Sequence, residues 1–491
     1  MSEVRIPNPF RRIVKVVLAV VLVAVATTAG IVGWDHLQRC DDEDSVRSVG
    51  GECVGVTAGG SDFDQPALGE IIGKIRQANE KAQQATKYVS VAVFLPMTPQ
   101  RNSLAPLSWV IHQLQGAYLA QAAFNDRSAL PKVRLLLANP GDRMDAWERV
   151  TDELADRRAE PDNLVAVTGI GLSLGYADNA MRKLSGLGIP MVGSTISADD
   201  LDSIPGLLRP APTNVRQAQA AATYAKDELR ATTAMLVVDT NKNDAYSRTL
   251  AAAFRARFTD ATHRVLEVEQ QYDSSLEGVD NTFALMQPNL CAAKAEFVYF
   301  AGRGRDLLQL INRLAGRLCQ ERTITVLAGD DLASGSVTPN SVRAGLDANV
   351  RVIYTELAHP GAWAVDRERP AAQRQFSDTT INRFLKQAPD SQGCFQCLFG
   401  SESLEDGAAI MSHDAVLTAT TAIQLTASQD GDHVTTQRLL QTFKVLNGET
   451  AVAGSSGKLS YDNKGTVQGK VVPLLRLNAD GSSTFLHLET G

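Results

Sequence analysis

From residue 88 onward, short runs of β-branched and aliphatic residues alternate with longer stretches of helical period. The runs occupy residues 89–94, 133–137, 164–167, 190–192, 235–238, 297–300 and 324–327. Each is nearly continuous in apolar character. Strands of that kind are buried on both faces, as in parallel sheets sandwiched between helices. The pattern predicts a doubly wound α/β architecture.

The series breaks at Arg209-Pro210-Ala211-Pro212-Thr213-Asn214. Two prolines in three residues fix the backbone and exclude a helix through the segment. It reads as a hinge between two lobes. From residue 454 to the end, turn signals at 462–465 (Asp-Asn-Lys-Gly) and 478–481 (Asn-Ala-Asp-Gly) separate short strands. Residues 65–85 place Leu68, Ile71, Ile72 and Ile75 on one helical stripe behind an acidic, Gly-rich segment. That region reads as a stalk.

The N-terminus has a different pattern. Residues 16–34 form an apolar run close to the roughly 20 residues that span a bilayer as a helix. Arg5, Arg11, Arg12 and Lys15 precede it, and Asp35, Asp41, Asp42, Glu43 and Asp44 follow. The positive-inside bias then leaves residues 1–15 in the cytoplasm and exports the rest. Ala24-Val25-Ala26 resembles a processing site, so a cleaved signal peptide is the competing expectation. The run is long for a signal-peptide core, which favours a retained anchor. Leu37-Gln38-Arg39 before Cys40 lacks the small residues of a lipoprotein site.

Composition narrows the partners. The 491 residues are 44% hydrophobic and 21% charged, as in folded soluble proteins. A net charge of -7 offers no basic field for nucleic acid. Six cysteines in an exported chain favour disulfides. Cys40 and Cys53 are spaced to close a short juxtamembrane loop. Cys291 and Cys319 each precede a strand by a few residues, which puts them at one end of neighbouring βα units. Cys394 and Cys397 have the spacing of a redox or half-zinc motif, with a structural disulfide as the simpler reading because no second ligand pair is spaced for zinc.

Catalytic patterns are sparse. Gly171-Leu172-Ser173-Leu174-Gly175 fits a nucleophile elbow between strand and helix, and Asp330 or Asp331 with His359 or His413 would supply the triad order. No His-Gly-Gly oxyanion segment precedes that elbow, and the acids lie beyond the Pro-rich crossing. Gly302-Arg303-Gly304-Arg305 lacks the third glycine and the acidic residue of a dinucleotide site. His413-Asp414 reads as a helix start. The seven histidines show no metal-ligand pair, so neither metal nor cofactor is expected.

Four patches in order resemble the periplasmic-binding-protein type I receptors, nearest to the branched-chain amino-acid binding proteins. They are residues 167–173 followed by 188–197, Arg209-Pro210 running into a helix with Gln217 and Ala221, residues 239–247, and residues 454–465. The resemblance implies two doubly wound three-layer α/β lobes joined by a hinge, behind the N-terminal transmembrane helix. Its expected layout is a 1–15 cytoplasmic tail, a 16–34 helix and a 35–87 stalk. One lobe takes 88–211 with about 340–453, and the other 212–339 with about 454–491.

The resemblance further implies a non-enzymatic receptor that closes on a small polar ligand, an amino acid or related carboxylate. Ser173, Thr195 and Ser197 would hold the ligand's carboxylate, Tyr246 would cover it and Asp331 would pair with its ammonium group. All of these positions except Tyr246 follow strands, where α/β sheets present loops and helix N-termini to ligands. The partners implied are a permease or receptor and, through the anchor, the membrane. The alternative is a ligand-free interaction module. Two departures from the family pattern bear on specificity: the serine cluster is reduced to Ser173-Leu174-Gly175, and residues 96–101 (Pro-Met-Thr-Pro-Gln-Arg) replace a small-residue loop.

Overall fold

The computed structural model describes residue 40 and residues 45–100, 103–127, 131–334, 337–387, 393–431 and 433–490. The expected membrane helix at 16–34 lies outside them. Among the described residues no helix is long and apolar enough to cross a membrane.

The first lobe is built on strands β1 (Val46–Val49), β2 (Glu52–Thr57), β3 (Tyr88–Phe94), β4 (Lys132–Asn139), β5 (Leu164–Gly169), β6 (Met191–Gly193) and β7 (Leu207–Leu208). They lie in the order β1-β2-β4-β3-β5-β6-β7. The five strands from β4 to β7 in that order run parallel, and the β1–β2 hairpin adds antiparallel to the β4 edge. Helices α1 (Gly69–Gln83), α2 (Leu107–Asn125), α3 (Trp147–Asp156) and α4 (Gly175–Gly186) connect and cover them. Parallel strands buried on both faces explain why β3 to β5 read as continuous apolar runs.

The chain then crosses to the second lobe through Pro210 and Pro212. Here α5 (Asn214–Asp227), β8 (Thr233–Asp239), α6 (Ala245–Phe258), β9 (Arg264–Val265) and β10 (Gln270–Tyr272) come first. They are followed by α7 (Val279–Ala292), β11 (Phe297–Ala301), α8 (Gly304–Leu314), β12 (Ile324–Ala328), α9 (Asp331–Ser334), α10 (Pro339–Asp347) and β13 (Val350–Thr355). Beyond it lie α11 (Pro360–Arg367), α12 (Asp378–Ile381) and α13 (Phe395–Phe399). The chain then returns to the first lobe as α14 (Ala408–Asp430), α15 (Thr436–Phe443) and the hairpin β14 (Val452–Gly454) and β15 (Gly457–Leu459). Strands β16 (Val472–Leu477) and β17 (Ser483–Glu489) finish the second sheet, β10-β8-β11-β12-β13-β16-β17, with β9 beside β8. The two lobes are therefore joined by three crossings, near residues 209–214, 356–358 and 468–471.

Three expected boundaries differ. Residues 46–83 are not a stalk: Val54 and Val56 of the hairpin and Ile71, Ile72 and Ile75 of α1 are buried in the first lobe. The hairpin turns on Gly50 and Gly51, both at positive φ, a glycine signal that in sequence looks like linker. Residues 339–355 belong to the second lobe, because β13 pairs parallel with β12. Residues 454–467 stay with the first, where Leu459, Tyr461 and Val467 join its core. His413 and Asp414 also lie inside α14 rather than opening it.

The long α14 lies along α2, and Gly116 sets how close they come: a Cβ there would collide with the carbonyl of Ala409. All six cysteines are paired as Cys40–Cys53, Cys291–Cys319 and Cys394–Cys397. The Cys394–Cys397 pair is thus disulfide-bonded, and its thiols are not available as zinc ligands.

Candidate functional site

Loops at the carboxyl ends of strands from both sheets meet in one interlobe cleft. Gly171, Leu172 and Ser173 after β5 and Thr195 and Ser197 after β6 come from the first lobe. Tyr246 of α6, Arg303 after β11, Asp330 and Asp331 after β12, and Glu356 after β13 face them. Trp109 and Asp406 complete the wall from α2 and the turn into α14. All five residues expected from the sequence are therefore brought together. The cleft is nearly shut, with interior space of about 30 Å³, on the scale of one or two water molecules.

What shuts it is Arg303, which was missing from the expected set. Its guanidinium takes Asp244 in a fork, Nε to Oδ2 at 2.6 Å and Nη2 to Oδ1 at 2.8 Å. Nη1 reaches Asp331 Oδ1 at 2.8 Å. Nη2 also donates across the cleft to the carbonyl of Ser173 at 3.2 Å. The plane lies over the ring of Tyr246, 4.6 Å from its centroid, a cation–π arrangement. A main-chain bridge between Leu174 and Asp244 ties the lobes at the same place. Burial alone would lower the arginine's pKa, but Asp244 and Asp331 hold it well above the usual value.

The local sequence explains the position. Asp244 caps α6, accepting from the Ser247 amide at 3.2 Å, so its charge also meets the helix N-terminus. Gly304 follows Arg303 because α8 starts against the backbone of Asp331: a Cβ at 304 would strike that carbonyl. The Gly304 amide donates to Asp331 Oδ2 at 2.7 Å.

This revises the expected roles. Asp331 does meet a cation, but that cation is Arg303 of the same chain. Thr195 Oγ1 donates to the Gly171 carbonyl at 2.7 Å, and the Ser197 carbonyl accepts from the Asn214 amide at 2.8 Å. Ser173 does not cap α4, whose N-cap is Leu174. Tyr246 is buried, and its hydroxyl accepts from the Asp331 amide at 3.3 Å. Burial first, then Asp330 and Asp331, keep that phenol well above its usual pKa. Neither Leu174 nor Pro96 lines the cleft.

Neither candidate histidine stands beside Ser173. His359 Nδ1 accepts from the Gly361 amide at 3.0 Å, and His413 Nδ1 lies 3.0 Å from Asp414. Neither histidine lines the cleft. The nucleophile-elbow pattern therefore has no triad around it.

Three further acids that line the cleft, Glu356, Asp330 and Asp406, were also missing from the expected set. Glu356 is 1% exposed and follows β13 as Asp331 follows β12. Its Oε1 accepts from the Leu357 amide at 2.8 Å, while Oε2 has no hydrogen-bond partner. Asp330 Oδ1 is likewise shielded and unpartnered. Asp406 is held by His112 Nδ1 at 2.6 Å, with Glu402 on the other ring nitrogen at 3.3 Å. The strand-end rule that selected Asp331 applies equally to Glu356. Glu356 is not reached from the sequence because residues 350–355 are not among the expected strands and fall in the segment given to the other lobe.

No family model and no curated protein sequence matches the chain. Solved structures do. A leucine-binding protein from Thermotoga maritima superposes with a TM-score of 0.59 at 17% identity, over 82% of this chain and 99% of that one. An ABC transporter substrate-binding protein from Desulfitobacterium hafniense, in complex with Leu, gives 0.60 at 16% identity over 82% and 100%. A solute-binding protein of an ABC transporter from Rhodopseudomonas palustris HaA2, in complex with p-hydroxybenzoic acid, gives 0.59 at 14% identity over 82% and 97%. The chain has the type I periplasmic-binding fold shared by these ABC transporter substrate-binding proteins.

Proposed function

We propose that this chain is a membrane-anchored, extracytoplasmic solute-binding protein that closes its lobes over a small polar ligand and performs no chemistry on it. The observation that carries this reading is the single cleft formed by strand-end loops of both lobes and spanned by Arg303. In α/β folds those loops are where ligands bind, and a hinge of three crossings permits the opening that a shut cleft requires. The neighbours that bind leucine and hydroxybenzoate point to a compact polar solute. Residues 16–34 would hold the protein in the membrane, where it would deliver the ligand to an ABC-type permease or report it to a partner.

Ligand can drive closure only by binding the closed form more tightly. Here the Arg303 contacts already favour that form, and the ligand has to add to them. Trp109 lines the cleft and serves as a reporter. A ligand that raises the melting temperature should also change Trp109 fluorescence, and Trp109→Phe should abolish the optical change while sparing the thermal one. Thermal stabilisation by ligand without any Trp109 response would move binding away from the cleft.

One observation favours a second reading, a ligand-free interaction module: the guanidinium of Arg303 fills the place between Asp244 and Asp331. That reading expects no small molecule to shift melting.

A further inference from the structure

We infer that the interlobe cleft selects a net-cationic amine, whose ammonium group seats between Glu356 Oε2 and Asp330 Oδ1. The inference rests on the cleft-binding reading above and narrows it to a charge class.

The geometry comes first. Both oxygens are shielded from water, lack hydrogen-bond donors and belong to residues lining the cleft. A carboxylate oxygen left this way is costly unless a donor arrives. The cations of the wall are committed elsewhere: Arg303 to Asp244, Asp331 and Ser173, and His112 to Asp406 and Glu402; the nearest neutral donors are the Gln217 side chain and the partnerless phenol of Tyr299, both beside Asp330. Gln217 Oε1 sits beneath as an acceptor for the Asp330 amide and Thr355 Oγ1.

Charge argues for a net cation over a zwitterion or an acid. Asp244, Asp330, Asp331, Glu356 and Asp406 stand at or just behind the cleft wall. The cations against them are Arg303 and, behind Asp406, His112, whose pKa is raised because Asp406 and Glu402 outweigh the opposing effect of burial. No lysine lines the cleft. The hydroxyl of Thr195, expected to receive a carboxylate, donates to Gly171. A ligand carboxylate would therefore enter a field that repels it.

Protonation is consistent with that arrangement. Burial, then the neighbouring Asp331, lifts Asp330 to about 7. Burial, then Asp330 and more weakly Asp406, push Glu356 well above the carboxylate range. The buried phenols of Tyr246 and Tyr299 face Asp330 and stay neutral, pushed up first by burial and then by the acids. The acid pair thus holds a proton where an ammonium would sit, and cation binding must release it. Affinity for a cation should then weaken about tenfold per pH unit below 7.

The test is a thermal-shift titration of the full-length chain in detergent with putrescine, lysine, leucine and p-hydroxybenzoate, against sodium chloride of equal ionic strength. Putrescine or lysine should raise the melting temperature, leucine and p-hydroxybenzoate should not, and the shift should shrink from pH 7.5 to 6. Glu356→Gln and Asp330→Asn, each nearly isosteric, should weaken the cation at least tenfold while melting normally without it. Stabilisation by leucine or p-hydroxybenzoate with none by the amines would overturn the cation inference and leave the binding reading standing. Cation shifts that survive both substitutions would overturn the seat assigned here. No shift from any compound would overturn both.

Discussion

Replacing Arg303 with methionine tests the cleft most directly. The side chain is 3% exposed and makes charged contacts to Asp244 and Asp331 together with the cross-lobe bond to Ser173. Methionine keeps much of the bulk and removes every donor, leaving two buried carboxylates without their counter-ion. Breaking a buried pair from one side typically costs about 3–5 kcal/mol, and that loss should appear in urea unfolding followed by circular dichroism. The cross-lobe bond contributes separately, because it exists only while the lobes are together. A hydrogen bond to a charged group is worth about 1.5–3 kcal/mol, so the closed-to-open ratio should fall by roughly ten- to a hundredfold. Small-angle scattering of the variant should then report a larger radius of gyration. Arg303→Lys should fall between the two, since an ammonium cannot reproduce the fork to Asp244. Adding Asp331→Asn to Arg303→Met should recover part of the stability by removing one stranded charge. A stability change under about 1 kcal/mol, or an unchanged radius, would refute the view that Arg303 holds the closed form.

Three further outcomes are expected. Replacing Cys291 and Cys319 with serine opens a crosslink of sequence separation 28 and should cost about 3–4 kcal/mol on the chain-entropy account, measured by urea unfolding of oxidised wild type and variant. Gly116→Ala should destabilise by about 1–3 kcal/mol through the collision with Ala409, although the same change in an open helix would stabilise; a raised melting temperature would contradict the close approach of α2 and α14. Burial lowers His359 to about 4, so between about 4 and 6.5 the unfolded chain binds the proton that the folded chain refuses. Stability is therefore lost as pH falls through that window, and His359→Asn, which keeps an acceptor for the Gly361 amide, should flatten this part of a melting-temperature profile against pH.

Much of the framework was legible because parallel strands are written as unbroken apolar runs. Each of the seven expected segments lies within or overlaps one of β3, β4, β5, β6, β8, β11 and β12. Pro210 and Pro212 likewise marked the first crossing, and all three cysteine pairings were anticipated. The β1–β2 hairpin was hidden because a short antiparallel edge around Gly50-Gly51 carries too little apolar pattern to stand out from a linker. At the site, position was readable and partnership was not. Strand ends identified Ser173, Thr195, Ser197 and Asp331. The meeting of Arg303 with Asp244, 59 residues away, and with Ser173, 130 away, depends on how two sheets are set against each other, which local pattern does not encode. Gly304 was the available clue: a glycine opening α8 after an apolar strand marks a place where backbone comes close, so the arginine before it was a candidate to enter the cleft.

The Cys40–Cys53 bond fastens the chain to β2, at the edge of the first lobe. With residues 16–34 in the bilayer as proposed, only five residues lie between Trp34 and Cys40, a leash of about 20 Å at full extension. The first lobe would then ride close to the lipid as a fixed jaw, and the second would swing. Reducing this one bond would move the first point of attachment to Val46 and double the leash to about 40 Å, so the redox state of the compartment would set how far the receptor ranges from its membrane.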